Sequence, residues 1–538
     1  MEDKNRDRYH RIIGLFTPDE IVERIRKVYP PEAWNDDGKL QYEYAIGIAT
    51  FLVANIFGHI IRDNGGAYME HTQEVATPFA EDPEKKLDAY MHDFIEDSIW
   101  TVLMLNRLGF SKSVLDSTLA ISRRVRITKD NKIVKEPYFE FICRLGMDLN
   151  APEVKDADLL NNTLFARDPA FVNQDKLLRY NIAYKYLLAI QNNKIKRGTS
   201  VEDFVLNHPV LCKDENILRL VRENIRNPEY DAADPLPEWN PAEHTYEYKI
   251  TMPEDYTGKD SSGQHIGLFA PEEIAGRVRE VYPAEAWDEK NKIKPNYGIG
   301  LATLVAANTF GHVMLDDGTP CIPYLQDVAT PFIRKPRKKI ISYLHKMLSD
   351  SAWQTTDLRQ VGFPQSIVHS VIALTRNYSE LNSPAKSSPG RAVAICSATI
   401  ELYRNSKDIN LLNAIYLATA AIKQIGQEEP YLEYIRRCGE NLDAAMVKYI
   451  ALKKGGILNF KPKDMDFDRV QLRNIARYYL FALVRKKINP GTPVQQYTES
   501  DPDKFDSPKI KYLVAINSLY RRLPLLVRHY AQALPDVS

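Results

Sequence analysis

The features that mark a secreted or membrane-bound protein are scarce in this 538-residue sequence. Its five cysteines show no CxxC spacing, which argues against a thiol metal site or a disulfide framework; they are Cys143, Cys212, Cys321, Cys396 and Cys438. The first ten residues lack the apolar core of a signal peptide. No apolar run approaches the ~18 residues of a membrane-spanning helix. We therefore expect a cytoplasmic protein with reduced thiols and no membrane partner.

An excess of charge of either sign is also missing. Lys and Arg together number 71, and so do Asp and Glu. A general binder of nucleic acid polymers or of anionic membranes needs a positive balance, so we expect neither partner, although a local basic pocket is compatible with this composition. The hydrophobic content of 44% is ordinary for a soluble globular protein.

What the sequence does contain is one module written twice. The run GLF at 14–16 recurs 253 positions later at 267–269, and VATPF at 75–79 recurs at the same distance. Further along, EPY at 136–138 recurs 293 positions later. The second copy therefore carries a net insertion of 40 residues, near 378–428, part of which has a helical pattern.

Helical periodicity dominates both copies, and we predict an all-α fold. The clearest helical segments in the first copy are 17–30, with Thr17 as its cap, 42–62, 136–145 and 173–191. The best strand pattern is at 245–250. We predict two tandem helical domains, at 1–226 and 263–538, joined by a Pro- and acid-rich linker at 227–262.

The segment MHDFIED at 91–97 is the chemical centre of the first copy. Asp82 as N-cap and Pro83 at the first position predict a helix that runs through it. On that helix His92 and Glu96 are four residues apart and share one side, with Asp93 beside them. Several carboxylates crowded with an imidazole repel one another unless a cation or a proton joins them.

Four side chains are candidates for a metal site: His71, His92, Asp93 and Asp158. Imidazole and carboxylate ligands together suit Mn²⁺, Fe²⁺ or Zn²⁺ better than Ca²⁺. Such a metal polarises a phosphoryl oxygen and lowers the pKa of bound water. Glu96 and Asp97, one turn along, are placed to orient that water or to move protons.

Three linked motifs resemble those of the HD-domain metallophosphohydrolases, most closely the alarmone hydrolases of the RelA/SpoT type. The pattern R-x-x-G-x-x-Y-x-x-H is met by Arg62, Gly65, Tyr68 and His71. The pattern LHDxxED is met by MHDFIED at 91–97, and VKLADxxxN is similar to VKDADLLNN at 154–162. The resemblance covers roughly residues 45–190.

The resemblance implies a fold, a reaction and roles for these residues. It implies two tandem HD-type domains, with Mn²⁺ (or another divalent transition metal) on the four candidate ligands and Glu96 and Asp97 as the catalytic acid pair. It implies that Arg62, Tyr68 and Asn162 contact the substrate, a small nucleotide. The implied reaction is removal of the 3′-pyrophosphate from ppGpp-like alarmones.

Three positions depart from the family pattern and leave the substrate open. Thr72 replaces the proline after the first histidine, Asn161 replaces a histidine, and Asp156 replaces a leucine. Two alternatives therefore stand beside the alarmone hydrolase. One is an HD phosphohydrolase of another nucleotide, such as a cyclic nucleotide, a dNTP or a nucleoside monophosphate. The other is a non-catalytic nucleotide-binding protein. The oligomeric state is not predicted.

The second copy serves as an internal control. At the positions of His71, Asp93, Glu96 and Asp158 it has Tyr324, Lys346, Ser349 and Ala451, and only His345 and Asp350 are kept. Such a set cannot hold the same metal, so we predict a catalytically inactive structural or regulatory module.

The basic run at 123–135 is predicted to be a loop near the pocket, more often a solvated face than a phosphate site. His59 and His312 occur in both copies and are predicted to be structural.

Overall fold

A computed structural model describes residues 5–7, 9–63, 65–164, 173–237, 256–375, 431–454 and 467–518. The strand pattern at 245–250 and the helical insertion near 378–428 lie outside these residues. Over the described ranges the chain is mostly helical with one small sheet, which confirms the all-α prediction at the level of secondary structure. None of the helices in these ranges is long and apolar enough to cross a bilayer.

The first copy contains thirteen described α-helices and three short strands. The helices are α1 Pro18–Val28, α2 Tyr42–Phe57, α3 Tyr68–Ala76, α4 Pro83–Met91, α5 Phe94–Asp97, α6 Val102–Leu108, α7 Lys112–Ile121, α8 Tyr138–Leu145, α9 Ala151–Leu164, α10 Gln174–Gln191, α11 Val201–Asn207, α12 Glu215–Asn224 and α13 Pro228–Asp231. The strands are β1 Val125–Ile127, β2 Ile133–Lys135 and β3 Asp234–Pro235. They form one antiparallel sheet in the order β2-β1-β3.

The described part of the second copy is helical. Its α-helices are α14 Pro271–Val281, α15 Pro295–Phe310, α16 Cys321–Ala329, α17 Pro336–Leu344, α18 Met347–Asp350, α19 Thr355–Gln360, α20 Gln365–Leu374, α21 Tyr431–Gly439, α22 Leu442–Lys454, α23 Phe467–Val484, α24 Val494–Glu499, α25 Pro502–Phe505 and α26 Pro508–Ser518.

The chain divides into two compact units whose limits differ from those of the two copies. The first unit holds residues 1–326, 332–340 and 356–364, and the second holds 327–331, 341–355 and 365–538. The opening helices of the second copy, α14 and α15, thus belong to the same unit as the whole first copy.

Within the first unit, the opening helices of the two copies pack against each other reciprocally. Phe16 stacks on Phe269 with ring centroids 3.6 Å apart. A Cβ at Gly47 on α2 would lie 2.1 Å from the carbonyl oxygen of Gly311, and its counterpart Gly300 on α15 meets Gly58 in the same way, at 1.9 Å. Each contact has a partner in which the copies exchange roles, which is the signature of a pseudo-two-fold axis.

Two helix starts follow their sequence signals. Thr17 caps α1 as predicted, and the Glu20 carboxylate accepts from the Thr17 backbone N–H at 2.8 Å in a capping box. Asp82 caps α4 and accepts from the Lys85 N–H at 3.2 Å, with Pro83 in the first turn.

The basic run at 123–135 is a hairpin, so the prediction of a loop there was wrong. Val125–Ile127 pairs with Ile133–Lys135, and the turn between the strands places Asn131 at a positive φ of 60°. β-branched residues at Val125, Ile127 and Ile133 favour the extended backbone. The start of the predicted linker is also ordered, since it supplies α13 and β3.

Candidate metal centre

Three separate elements of the first unit bring the candidate ligands together. His71 lies on α3, Asp158 lies on α9, and His92 and Asp93 lie between α4 and α5. The prediction of one continuous helix through 83–97 was wrong, because α4 ends at Met91 and the single turn α5 starts at Phe94. Asp93 sits at φ −105° and ψ 0°, a conformation that redirects the backbone between the two helices.

The two imidazoles and one carboxylate converge on a single point. Nε2 of His71 lies 3.2 Å from Nε2 of His92 and 3.2 Å from Oδ1 of Asp158, and the His92 nitrogen lies 3.7 Å from that oxygen. All three side chains are at most 3% exposed. Within the described residues, this is the one buried group of histidine and acidic side chains with the spacing of metal ligands.

Hydrogen bonds at the far side of each ring fix the tautomers. Nδ1 of His92 lies 2.7 Å from the carbonyl oxygen of Ala89, which can only accept a hydrogen bond. Nδ1 of His71 lies 2.8 Å from Oδ1 of Asn161, whose Nδ2 donates to Glu74 at 2.9 Å. Each Nδ1 therefore carries hydrogen, and in the neutral rings both Nε2 lone pairs face each other and Asp158.

This donor set fits a metal ion. Ligands about 2.0–2.2 Å from a tetrahedral ion lie about 3.3–3.6 Å from one another, close to the separations found here. Two imidazole lone pairs and a carboxylate aimed at one buried point repel one another without a cation. His71, His92 and Asp158 therefore form a site that can bind a metal ion.

Without a metal, a proton on His92 can balance the negative charge of the neighbouring carboxylates. Burial lowers the pKa of His92, but Asp93 and Asp158 outweigh it and raise that pKa to about 9. Burial raises the pKa of Asp158, but Lys155 and the two histidines hold it well below its usual range. Metal binding at neutral pH is thus expected to displace a proton from His92.

The fourth predicted ligand, Asp93, lies at the edge of this group. Its Oδ2 is 3.1 Å from Nε2 of His92, and the hydroxyl of Tyr68 donates to the same oxygen. Tyr68, predicted to contact the substrate, thereby also orients the Asp93 carboxylate. Metal ligation by Asp93 stays a prediction.

Glu96 and Asp97, the predicted acid pair, occupy different environments. Glu96 accepts from Nζ of Lys135 at 2.7 Å and from the backbone N–H of Arg123 at 3.0 Å. Asp97 is 3.6 Å from Lys135, and burial, with Asp93 next in importance, raises its pKa to about 6. Asp97 is therefore suited to carry a proton near neutral pH.

The two other predicted substrate contacts, Arg62 and Asn162, touch each other. The Arg62 guanidinium donates to Oδ1 of Asn162, and Nδ2 of Asn162 donates to Oδ1 of Asp158 at 2.7 Å. A chain of hydrogen bonds thus runs from the cavity wall to the metal centre.

A cavity of about 370 Å³ opens over this centre. Eight of the nine predicted site residues line it: Arg62, Tyr68, His71, Asp93, Glu96, Asp97, Asp158 and Asn162. The ninth, His92, is 1% exposed. Since these residues come from stretches up to a hundred positions apart, the motifs predicted a spatial cluster that the fold assembles.

The cavity is also lined by four cations that have no definite role in the sequence-based prediction. They are Arg123, Lys155, Lys176 and Arg179. Lys155 donates to Oδ2 of Asp158 at 2.8 Å, whereas Arg179 lies over the Tyr138 ring at 5.6 Å. Lys155 was part of a quoted motif and Arg123 of the basic run. Lys176 and Arg179, three residues apart on α10, had no signal beyond sharing one helix face.

The two histidines that both copies share, His59 and His312, have hydrogen-bond partners outside the centre, in line with a structural role. His59 lies 2.8 Å from the side-chain nitrogen of Asn5, and His312 lies 3.0 Å from Nδ1 of His265. Neither belongs to the metal-ligand group.

Comparison of the chain with family models, with curated proteins and with solved structures gives no match.

Proposed function

We propose that the first copy is a metal-dependent phosphohydrolase of a small nucleotide, with an HD-type domain in each copy and a catalytically inactive second domain. The observation that carries this proposal is the buried convergence of His71, His92 and Asp158 beneath a cavity lined by cations. Carboxylates and imidazoles at the base suit a metal, and cations at the wall suit phosphate. The three linked motifs favour 3′-pyrophosphate removal from a ppGpp-like alarmone, with Mn²⁺ as cofactor, in the cytoplasm.

The residues of the chain divide the work of such a reaction. A divalent metal held by His71, His92 and Asp158 supplies Lewis-acid polarisation of a phosphoryl oxygen and makes water more acidic. Arg123, Lys176 and Arg179 attract and orient the phosphate groups. Asp97, with its raised pKa, accepts a proton from the attacking water and returns it to the departing sugar oxygen. Lys135 holds Glu96 and steadies the turn that bears Asp97.

A nucleotide panel with added Mn²⁺ tests the proposal. We expect pyrophosphate release from ppGpp by the full chain and at least a hundredfold loss of rate in Asp158→Ala. Asp97→Asn is expected to lower kcat by about 10²–10⁴-fold without weakening metal binding. The matched control is His345→Ala, at the position in the second copy that corresponds to His92, which should leave the rate unchanged.

Metal binding is measured separately, by calorimetry or by the shift of the unfolding temperature with Mn²⁺. Metal binding with turnover of a different nucleotide would replace the alarmone by that substrate. Metal and nucleotide binding without any product would favour the non-catalytic alternative. No metal binding, or full turnover by Asp158→Ala, would overturn the site itself.

A further inference from the structure

A lysine of the second copy contacts the helix of the first copy that carries His71. Nζ of Lys339, on α17, lies 3.3 Å from Oε1 of Glu70, the residue that precedes His71 on α3. The Lys339 side chain is 2% exposed and that of Glu70 is 16% exposed, so this ion pair is largely shielded from water. Both residues belong to the first compact unit.

This ion pair has no reciprocal partner, unlike the glycine contacts between the two copies. The repeat distance of 253 residues places Lys86 at the position of Lys339 and Pro323 at the position of Glu70. Because proline has no side-chain acceptor, the same pair cannot form with the copies exchanged. A contact made in one direction only is not required by the pseudo-two-fold packing, and this one ends beside a candidate metal ligand.

Glu70 shares one face of α3 with Glu74, which supports the His71 ring. The two glutamates are four residues apart, and like charges at this spacing repel each other on a helix. The Glu74 carboxylate accepts from Nδ2 of Asn161 at 2.9 Å, and Oδ1 of Asn161 lies 2.8 Å from Nδ1 of His71. Burial lowers the pKa of Lys339, and Glu70 and Glu74 oppose that shift. Lys339 therefore offsets a repulsion that acts on the far end of this hydrogen-bond chain.

The direction of the hydrogen-bond chain decides whether His71 can bind a metal. A carboxylate can only accept a hydrogen bond, so Glu74 holds the Asn161 amide with its nitrogen toward Glu74 and its oxygen toward His71. That oxygen keeps the proton on Nδ1 and leaves the Nε2 lone pair for a metal. If Glu74 moved away, the amide would be free to flip and to present its nitrogen to Nδ1. The flipped amide favours the tautomer with hydrogen on Nε2, which cannot bind a metal through that nitrogen.

We propose that Lys339 is a positioning residue through which the second copy keeps the metal centre of the first copy ready to bind its ion. The ammonium group neutralises Glu70, so that Glu74 keeps its hydrogen bond to Asn161 and the His71 ring stays in the ligating tautomer. This inference rests on the metal centre of the proposed function, and it does not depend on the substrate or on hydrolysis.

Calorimetric titration of the full chain with Mn²⁺ tests the proposal. Lys339→Met should lower the Mn²⁺ affinity about tenfold, as expected when an outer support of a histidine ligand is lost. The direction of the change is informative, because removing a cation near the site would by charge alone strengthen the binding of another cation. Lys335→Met, the same substitution at an exposed position just before α17, should bind Mn²⁺ as the unsubstituted chain does.

Two double variants separate positioning from a purely structural role. Asn161→Ala removes the link to His71, so Lys339→Met/Asn161→Ala should bind Mn²⁺ as weakly as Asn161→Ala alone. Glu70→Gln removes the repulsion, so Lys339→Met/Glu70→Gln should recover most of the affinity. Losses that simply add in the first double variant would show that Lys339 acts by another route, and would overturn the proposal.

Three other outcomes would also overturn it. A lower unfolding temperature of Lys339→Met with unchanged Mn²⁺ affinity would assign the ion pair to the packing of the two copies alone. Tighter Mn²⁺ binding by the same variant would reduce Lys339 to a distant charge. Absence of Mn²⁺ binding by the unsubstituted chain would overturn the metal centre and this inference together, whereas Mn²⁺ binding without turnover would count against hydrolysis only.

Discussion

Asp88 on α4 is a carboxyl group buried where nothing in the described structure satisfies it. Its side chain is 0% exposed, and neither of its oxygens has a hydrogen-bond partner among the described residues. Burial raises its pKa well above the usual range, with the nearby Asp148 adding to the effect and the Ser117 hydroxyl opposing it. The second copy has Ile341 at this position, so the scaffold does not require an acid there.

Asp88→Asn should stabilise the protein at pH 7 and not at low pH. A carboxyl whose pKa is raised by folding is harmless below its unfolded value, near 3.9. As the pH rises from there through the folded pKa, the free energy of unfolding falls, because the buried carboxyl must either stay protonated or become charged without a partner. The variant should therefore have a higher free energy of unfolding than the wild type above pH 4, by about 1–3 kcal/mol. Thermal unfolding of both proteins between pH 3.5 and 8 measures it; a gap that stays constant with pH would show that Asp88 is not the titrating group.

For individual residues, the sequence predicted the candidate metal ligands better than the side chains that hold them in place or line the cavity. His71, His92 and Asp158 belong to motifs with fixed spacing, and the fold brings them together. Asn161 was noted only as a departure, yet it holds the His71 ring at 2.8 Å. Lys176 and Arg179 could not be predicted, because a lysine or arginine on a helix is ordinarily a solvated side chain.

The break between α4 and α5 shows what helical periodicity cannot reveal. The apolar stripe of residues 87–95 continues smoothly through the break, so the pattern alone predicts one helix. The turn is held instead by side-chain hydrogen bonds, a local one between His92 and the Ala89 carbonyl and a long-range one from the Tyr68 hydroxyl to Asp93. A continuous helix would direct His92 and Asp93 about 100° apart around its axis, whereas the turn brings the Asp93 carboxylate to 3.1 Å from Nε2 of His92.

The starts of α1 and α14 offer a matched test of capping. In α1 the Thr17 hydroxyl accepts from the Glu20 N–H at 3.5 Å, whereas its counterpart before α14 is Ala270, which has no hydroxyl. Thr17→Ala should lower the free energy of unfolding by about 0.5–1 kcal/mol, and Ala270→Thr should raise it by a similar or smaller amount. Urea unfolding measures both. A loss of stability in Ala270→Thr would mean that the site at α14 has no room for the side chain.

The opening helices of the two copies are joined in the first unit by contacts that the copies exchange. Arg24 donates to Glu273 at 2.8 Å and to the carbonyl of Leu268 at 3.0 Å, and its counterpart Arg277 donates to Glu20 at 2.6 Å. The sequence showed the repeat but not this pairing, because equal spacing along a chain does not say whether two copies touch.

Removing the arginine from each of these ion pairs should have unequal effects. Arg24→Met leaves Glu273, whose side chain is 9% exposed, without its cation, and should cost about 3–5 kcal/mol. Arg277→Met leaves Glu20, at 34% exposure, in reach of water and should cost less. The double variant Arg24→Met/Glu273→Leu should recover most of the loss. Urea unfolding of the four proteins provides the comparison, and equal losses for the two single variants would contradict the role given to exposure.

The glycine contacts between α2 and α15 have a consequence for the history of the gene. A recombination event that separated the two copies would expose α2 in one half and α15 in the other. Each is a long apolar helix whose glycine backbone packs on the other copy. Neither half is therefore expected to be stable alone, because Gly47 packs on Gly311 and Gly300 packs on Gly58.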